Sequence, residues 1–170
     1  ILVAPSFAAK VDTLLVNSPS MNKDVQVVVV TPDAALGKKA VACPVIYLLH
    51  GYGGNARSWM QLKPELPQMA DEKGIIFVCP DGKNSWYWDS PENPAYRYET
   101  FVTSELVKYT DGNYATIPDR KARAISGLSM GGHGALWSAI RHKDVFGAAG
   151  SMSGGVDIRP FPQNWEMSKI

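Results

Sequence analysis

Apolar residues fall in short dense runs, separated by clusters of glycine, proline and polar residues. Lys10 to Val16 and Asp24 to Thr31 predict two strands around the turn Asn17-Ser18-Pro19-Ser20. Pro44 to Leu49 and Ile75 to Cys79 are apolar at consecutive positions, the pattern of strands buried on both faces of a parallel sheet. Arg123-Ala124-Ile125-Ser126 reads as a further short strand, and Phe146 to Met152 as a sixth.

Helical patterns lie between these runs. Arg57 to Lys73 is helical in part, broken up by Pro64 and Pro67 and stopped by Gly74. Tyr98 to Tyr109 is amphipathic, with Phe101, Val102, Leu106 and Tyr109 on one face and Asp111-Gly112-Asn113 at its end. Met130 to His142 reads as a helix that closes near Lys143-Asp144. Asp33 to Ala42 is a polar connector, and Lys83 to Arg97 a long irregular loop. Strands alternating with helices predict a mostly parallel sheet with helices on both faces, carrying the first two strands as an antiparallel hairpin on its edge. In such sheets the site forms at the carboxyl ends of the strands. That edge collects the His50 loop, the Asp81 loop, Ser129 and the Gly154 loop.

Composition narrows the function. The 170 residues suffice for one domain with a core. A formal net charge of +1 gives no reason to expect a nucleic-acid partner. No apolar run approaches membrane-spanning length. Cys43 and Cys79 fall at opposite ends of two predicted neighbouring strands, on the order of 15–20 Å apart. That is too far for a disulfide, so two free buried thiols are expected. Neither has a second Cys or His nearby at metal-ligand spacing. Residues 1–9 lack an initiator Met, and Ser6-Phe7-Ala8 fits either the tail of a signal peptide or a first strand.

The candidate chemistry begins at Gly127-Leu128-Ser129-Met130-Gly131, a G-x-S-x-G between a strand and a helix. A serine at such a sharp turn is a nucleophile elbow. The flanking glycines permit the strained backbone. The amide of Met130 opens a helix, where the dipole favours negative charge. A second motif, Val45-Ile46-Tyr47-Leu48-Leu49-His50-Gly51-Tyr52-Gly53-Gly54, ends a core strand in a glycine loop. Acyl transfer builds negative charge on a carbonyl oxygen, and two preorganised amides must face it. The backbone amides of Tyr52 and Met130 are the candidate donors.

These stretches, with Phe77 to Gly82 (FVCPDG) and Tyr98 to Tyr109 (YETFVTSELVKY), resemble the esterase D-type α/β-hydrolases. That group includes feruloyl and acetyl-xylan esterases, S-formylglutathione hydrolases and mycolyltransferases. The matching stretches fall within residues 41–155. The resemblance implies Ser129 as nucleophile, Tyr52 and Met130 as oxyanion hole, no metal or organic cofactor, and a secreted or periplasmic setting. It implies a serine carboxylesterase acting on feruloyl or acetyl esters of plant polysaccharide. A mycolyl-type acyltransferase, a non-catalytic binding module on the same fold and, more remotely, a peptidase are the alternatives.

The triad of this fold runs Ser, then Asp or Glu, then His along the chain. The acid and the histidine are therefore expected beyond the sixth strand, and the 170 residues read as one α/β-hydrolase domain incomplete at its C-terminus. An incomplete sheet would leave the sixth strand as an open edge, where another chain could associate. His133 and His142 lie about 6 Å and about 20 Å down the elbow helix, leading away from Ser129. His50 is expected to hold the oxyanion loop through ring hydrogen bonds, with a base role as the alternative. Asn84-Ser85-Trp86-Tyr87-Trp88-Asp89 follows the fourth strand at the active edge. Trp88 and Gly53 are the candidates for substrate contact, whereas Trp86 and Tyr87 are expected to pack the loop onto the body.

Overall fold

The computed structural model describes residues 9–170. The alternatives for Ser6-Phe7-Ala8 lie outside the described residues. Six strands form one sheet in the order β1-β2-β4-β3-β5-β6. They are β1 (Lys10–Ser18), β2 (Lys23–Thr31), β3 (Val45–Leu49), β4 (Ile76–Pro80), β5 (Arg123–Leu128) and β6 (Ala148–Met152). The pairs β3–β4, β3–β5 and β5–β6 are parallel, while β1–β2 and β2–β4 are antiparallel. The mostly parallel sheet with an N-terminal hairpin is thus the one the apolar pattern predicts.

Residue type decides each strand's place. β3 and β4 are buried on both faces, as their unbroken apolar runs require. β1 alternates and lies at one edge. β6 is Ala-Ala-Gly-Ser-Met, largely exposed, and forms the other edge. The β1–β2 turn sits later than expected, because Asn17 and Ser18 still pair with Asp24 and Lys23. The Asn17 amide donates to Asp24 at 3.1 Å, and Asn22 takes the left-handed turn position at φ 50°.

Helices cover both faces. α1 (Ser58–Leu62) and α2 (Leu66–Lys73) are split at Pro64, and Gly74 ends α2 at φ 62°. Leu66 and Ala70 of α2 pack with Val28, Val30, Leu48, Phe77 and Cys79 on one face. On the other face, α3 (Tyr98–Thr100), a π-helical turn (Phe101–Glu105) and α4 (Leu106–Asn113) run on without a break. This rod extends past Tyr109 because Asp111, Gly112 and Asn113 form its last turn. Phe101, Val102 and Leu106 join Met130 and Ala135 of α5 (Met130–Arg141) against Val27, Tyr47, Leu49, Val78 and Ile125. Each fully buried aliphatic side chain of this kind contributes roughly 1.5–3 kcal/mol. Cys43 and Cys79 are free and buried.

Candidate active site

Four connections leave the carboxyl ends of β3, β4, β5 and β6, and all four reach one cavity. It measures about 260 Å³ and is lined by Tyr52, Trp86, Ser129, Ser153, Gly155, Asp157, Ile158, Phe161 and Trp165. Ser129 lies at the junction of β5 and α5 with φ 55° and ψ −116°. A non-glycine residue in that region costs of order 1–3 kcal/mol, which the surroundings must offset.

Close packing holds the elbow. A Cβ on Gly127 would sit 2.2 Å from the Gly131 carbonyl oxygen, and one on Gly131 would sit 2.2 Å from the Leu49 carbonyl oxygen. The strand, the helix and β3 therefore meet backbone to backbone. The Ser129 amide donates to the Met152 carbonyl at 2.8 Å, which ties the elbow to β6.

The glycine loop after β3 is fixed by His50, which is 1% exposed. Its Nδ1 donates to the Gly51 carbonyl at 2.7 Å, and its Nε2 accepts the Gly82 amide at 2.8 Å. Both ring nitrogens are engaged, so His50 holds the loop and has no lone pair for Ser129. Tyr87 closes the same corner, with its hydroxyl donating to the His50 carbonyl at 3.1 Å.

Tyr52 lines the Ser129 cavity, and Met130 follows Ser129 as the first residue of α5. Among the described residues, the amides of Tyr52 and Met130 donate to no protein acceptor. Gly53 does not line the cavity, and its amide is spent on the Asn84 side-chain oxygen at 2.8 Å. Trp88 also lies elsewhere. Its indole N–H donates to His133 Nε2 at 2.9 Å, and its ring lines a second cavity with Glu99, Trp137 and Arg141. The indole that this loop does bring to the Ser129 cavity is Trp86, expected only to pack the loop. Trp86 and Tyr87 take left-handed φ values of 56° and 60°, which reverses the loop so that Trp86 faces Ser129. The Trp86 indole N–H donates to the Trp165 carbonyl at 3.3 Å, and the Trp86 and Trp165 rings lie 6.2 Å apart. Phe161 meets Trp165 edge-on at 5.7 Å.

None of the three histidines lines this cavity. His142 donates from Nε2 to Glu99 at 2.7 Å, and both ring nitrogens of His133 are bonded. Asp157 does line it, but Arg159 clasps both carboxylate oxygens at 2.8 Å and holds its pKa at about 2.

Residues 18–168 match the Esterase family model, described as "Putative esterase". The chain belongs to the Esterase family. Relatives in this family share its sequence at moderate identity. The chain is 35% identical over 156 residues to the diacylglycerol acyltransferase/mycolyltransferase Ag85A of Mycobacterium leprae, covering 86% of this chain and 44% of that protein. It is 33% identical over 101 residues to the acetyl esterase of Caldicellulosiruptor saccharolyticus, covering 59% of this chain and 37% of that protein. A solved ferulic acid esterase is 32% identical and superimposes with a TM-score of 0.80, over 95% of this chain and 66% of that one. The chain therefore spans less than half the length of the two curated relatives. The esterase D-type group to which the motifs pointed is the group these relatives come from.

Proposed function

We infer that the chain carries the nucleophile and oxyanion hole of a serine carboxylesterase, acting through an acyl-enzyme at Ser129. The observation that carries this reading is the placement of Ser129, on strained backbone at the N-terminus of α5, in a cavity shared with Tyr52. The Ser129 hydroxyl oxygen attacks the ester carbonyl carbon while its proton passes to a histidine base. The amides of Tyr52 and Met130 face the resulting oxyanion. Collapse expels the alcohol, which takes the proton, and water then releases the acid by the same steps reversed. No histidine of this chain lines the cavity, so in this reading the base is a group other than His50, His133 and His142.

Trp86, Phe161 and Trp165 give the cavity aromatic walls. Its volume, about 260 Å³, lies just under the usual range of about 300–1,000 Å³ for ligand pockets. Both features suit a compact acyl group such as feruloyl or acetyl, carried on plant polysaccharide. The 35% identity to a mycolyltransferase supports a second reading, in which the same acyl-enzyme passes its acyl group to a sugar hydroxyl. A binding module that kept the fold without the chemistry is the third.

Rapid quenching of the intact protein with p-nitrophenyl acetate or methyl ferulate, followed by peptide mass spectrometry, tests the reading. An acyl adduct on Ser129 is expected. Partition of that adduct between water and an added sugar separates esterase from transferase. An adduct on another residue, or none with any ester, sinks the acyl-enzyme.

A further inference from the structure

His133 lies one turn into α5, and its amide donates to the Ser129 carbonyl at 3.0 Å. Its ring bridges two other segments. Nδ1 donates to the Gly155 carbonyl at 2.7 Å, and Nε2 accepts the Trp88 indole N–H at 2.9 Å. A donor at Nδ1 and an acceptor at Nε2 define a single neutral tautomer.

One partner lines the Ser129 cavity, and the other lies on the loop that supplies Trp86 to it. Gly155 lines it, with Ser153 and Asp157 from the same segment after β6. Trp88 stands two residues from Trp86, the indole of the other wall. Three indoles enclose the imidazole. Trp137 stacks on it at 6.0 Å, and Trp86 and Trp88 each meet it edge-on at 5.3 Å. The segment after β6 packs against the helix here, since a Cβ on Gly154 would lie 2.9 Å from the His133 amide nitrogen.

We propose that His133 is a positioning residue: its neutral ring ties the Gly155 segment and the Trp86–Trp88 loop to α5, and so sets the shape of the cavity that receives the acyl group. The proposal rests on the esterase reading of Ser129. It gives His133 no proton to transfer, because neither nitrogen is free.

The tie is sensitive to acid. A proton on Nε2 would turn the acceptor into a donor and set it against the Trp88 N–H. Burial holds the ring below its usual pKa, against the opposing effect of the Gly155 bond. The tie is therefore intact above about pH 6.5 and is lost as pH falls through the lowered value. The charged groups on the surrounding elements are Glu99 on α3, Arg141 and His142 at the end of α5, Asp89 on the loop after β4 and Asp157 after β6. Among the described residues none of them pairs with His133; Glu99 and Arg141 contact Trp137 instead.

The test uses the intact protein, p-nitrophenyl acetate and methyl ferulate, and the variants His133→Phe, His133→Asn and Trp88→Phe. His133→Phe keeps the ring and drops both bonds. Its KM for methyl ferulate should rise about tenfold with kcat little changed, the loss expected from two hydrogen bonds of ordinary net strength. His133→Asn places an amide near Nδ1 and should recover part of that loss through Gly155. Wild-type KM should rise further in mild acid, and Trp88→Phe should raise KM less and flatten that rise. An unchanged KM in His133→Phe, or a loss confined to kcat, overturns the proposal. Hydrogen exchange of the Trp88 indole N–H, followed by NMR, reads the tie without turnover. It should be slow at neutral pH and fast in mild acid. A wild type that hydrolyses neither ester but shows this exchange pattern would refute the esterase reading and leave the tie in place. Fast exchange at neutral pH overturns the tie itself.

Discussion

The amide of Gly82, at the end of β4, donates to Nε2 of His50, at the end of β3, across 2.8 Å. This bond joins the glycine loop that presents Tyr52 to the loop that presents Trp86. It also settles the role of His50, whose other nitrogen is held by Gly51.

Replacing His50 by alanine strands the buried Gly82 amide and opens a gap beneath Tyr87. The expected cost is about 2–4 kcal/mol of unfolding free energy, read from urea denaturation. A loss under about 0.5 kcal/mol would mean that the loop is held by other contacts.

Two glycines give opposite expectations. Gly131→Ala drives a Cβ to 2.2 Å from the Leu49 carbonyl oxygen, and no side chain there can yield. It should lose about 3 kcal/mol or more, or fail to fold. Gly112 lies in α4 with open space at its Cβ position. Gly112→Ala should stabilise by up to about 1 kcal/mol. Thermal midpoints of the two variants check the pair, and similar values would contradict the packing at the elbow.

The fold was legible because its signals are local. The unbroken apolar runs of β3 and β4 announce burial on both faces, and Gly127, Ser129 and Gly131 mark the elbow within five residues. The walls of the cavity were not legible in the same way. Trp86 and Trp88 sit two residues apart on one loop, and composition does not say which faces Ser129. Left-handed backbone at Trp86 and Tyr87, the Trp165 carbonyl and His133 decide it, and the last two are distant in sequence. His133 does not line the Ser129 cavity. Its link to the site runs instead through Gly155, a contact between residues 22 apart that no helical spacing reveals. Phe101, Val102, Leu106 and Tyr109 fit an ordinary α-helix, so the π-helical turn at Phe101–Glu105 left no mark in the pattern.

Glu99 anchors the far end of α5. Its carboxylate accepts from Trp137, Arg141 and His142, each at 2.7 Å. Burial pushes its pKa up, but Arg141, Trp137 and His142 outweigh burial and leave it lowered. A carboxyl with a lowered folded pKa contributes stability above its unfolded value, about 4.5, and loses it as pH falls through the folded value. Glu99→Gln should cost about 1–3 kcal/mol at neutral pH. The gap from wild type should narrow in acid below about pH 4.5. A gap that stays constant down to that range would contradict the charged network.

Trp86 supplies one aromatic wall. Trp86→Leu should raise KM for methyl ferulate by about five- to tenfold, the worth of a lost aromatic contact, and change KM for p-nitrophenyl acetate far less. Equal changes for the two esters would mean that Trp86 shapes the loop and does not meet the acyl group.

The most direct measurement is hydrolysis of p-nitrophenyl acetate and methyl ferulate by the intact protein and by its Ser129→Ala variant. The account predicts hydrolysis of at least one ester, with kcat falling about 10³-fold or more on substitution. A Ser129→Ala protein that hydrolyses either ester at the wild-type rate would contradict it.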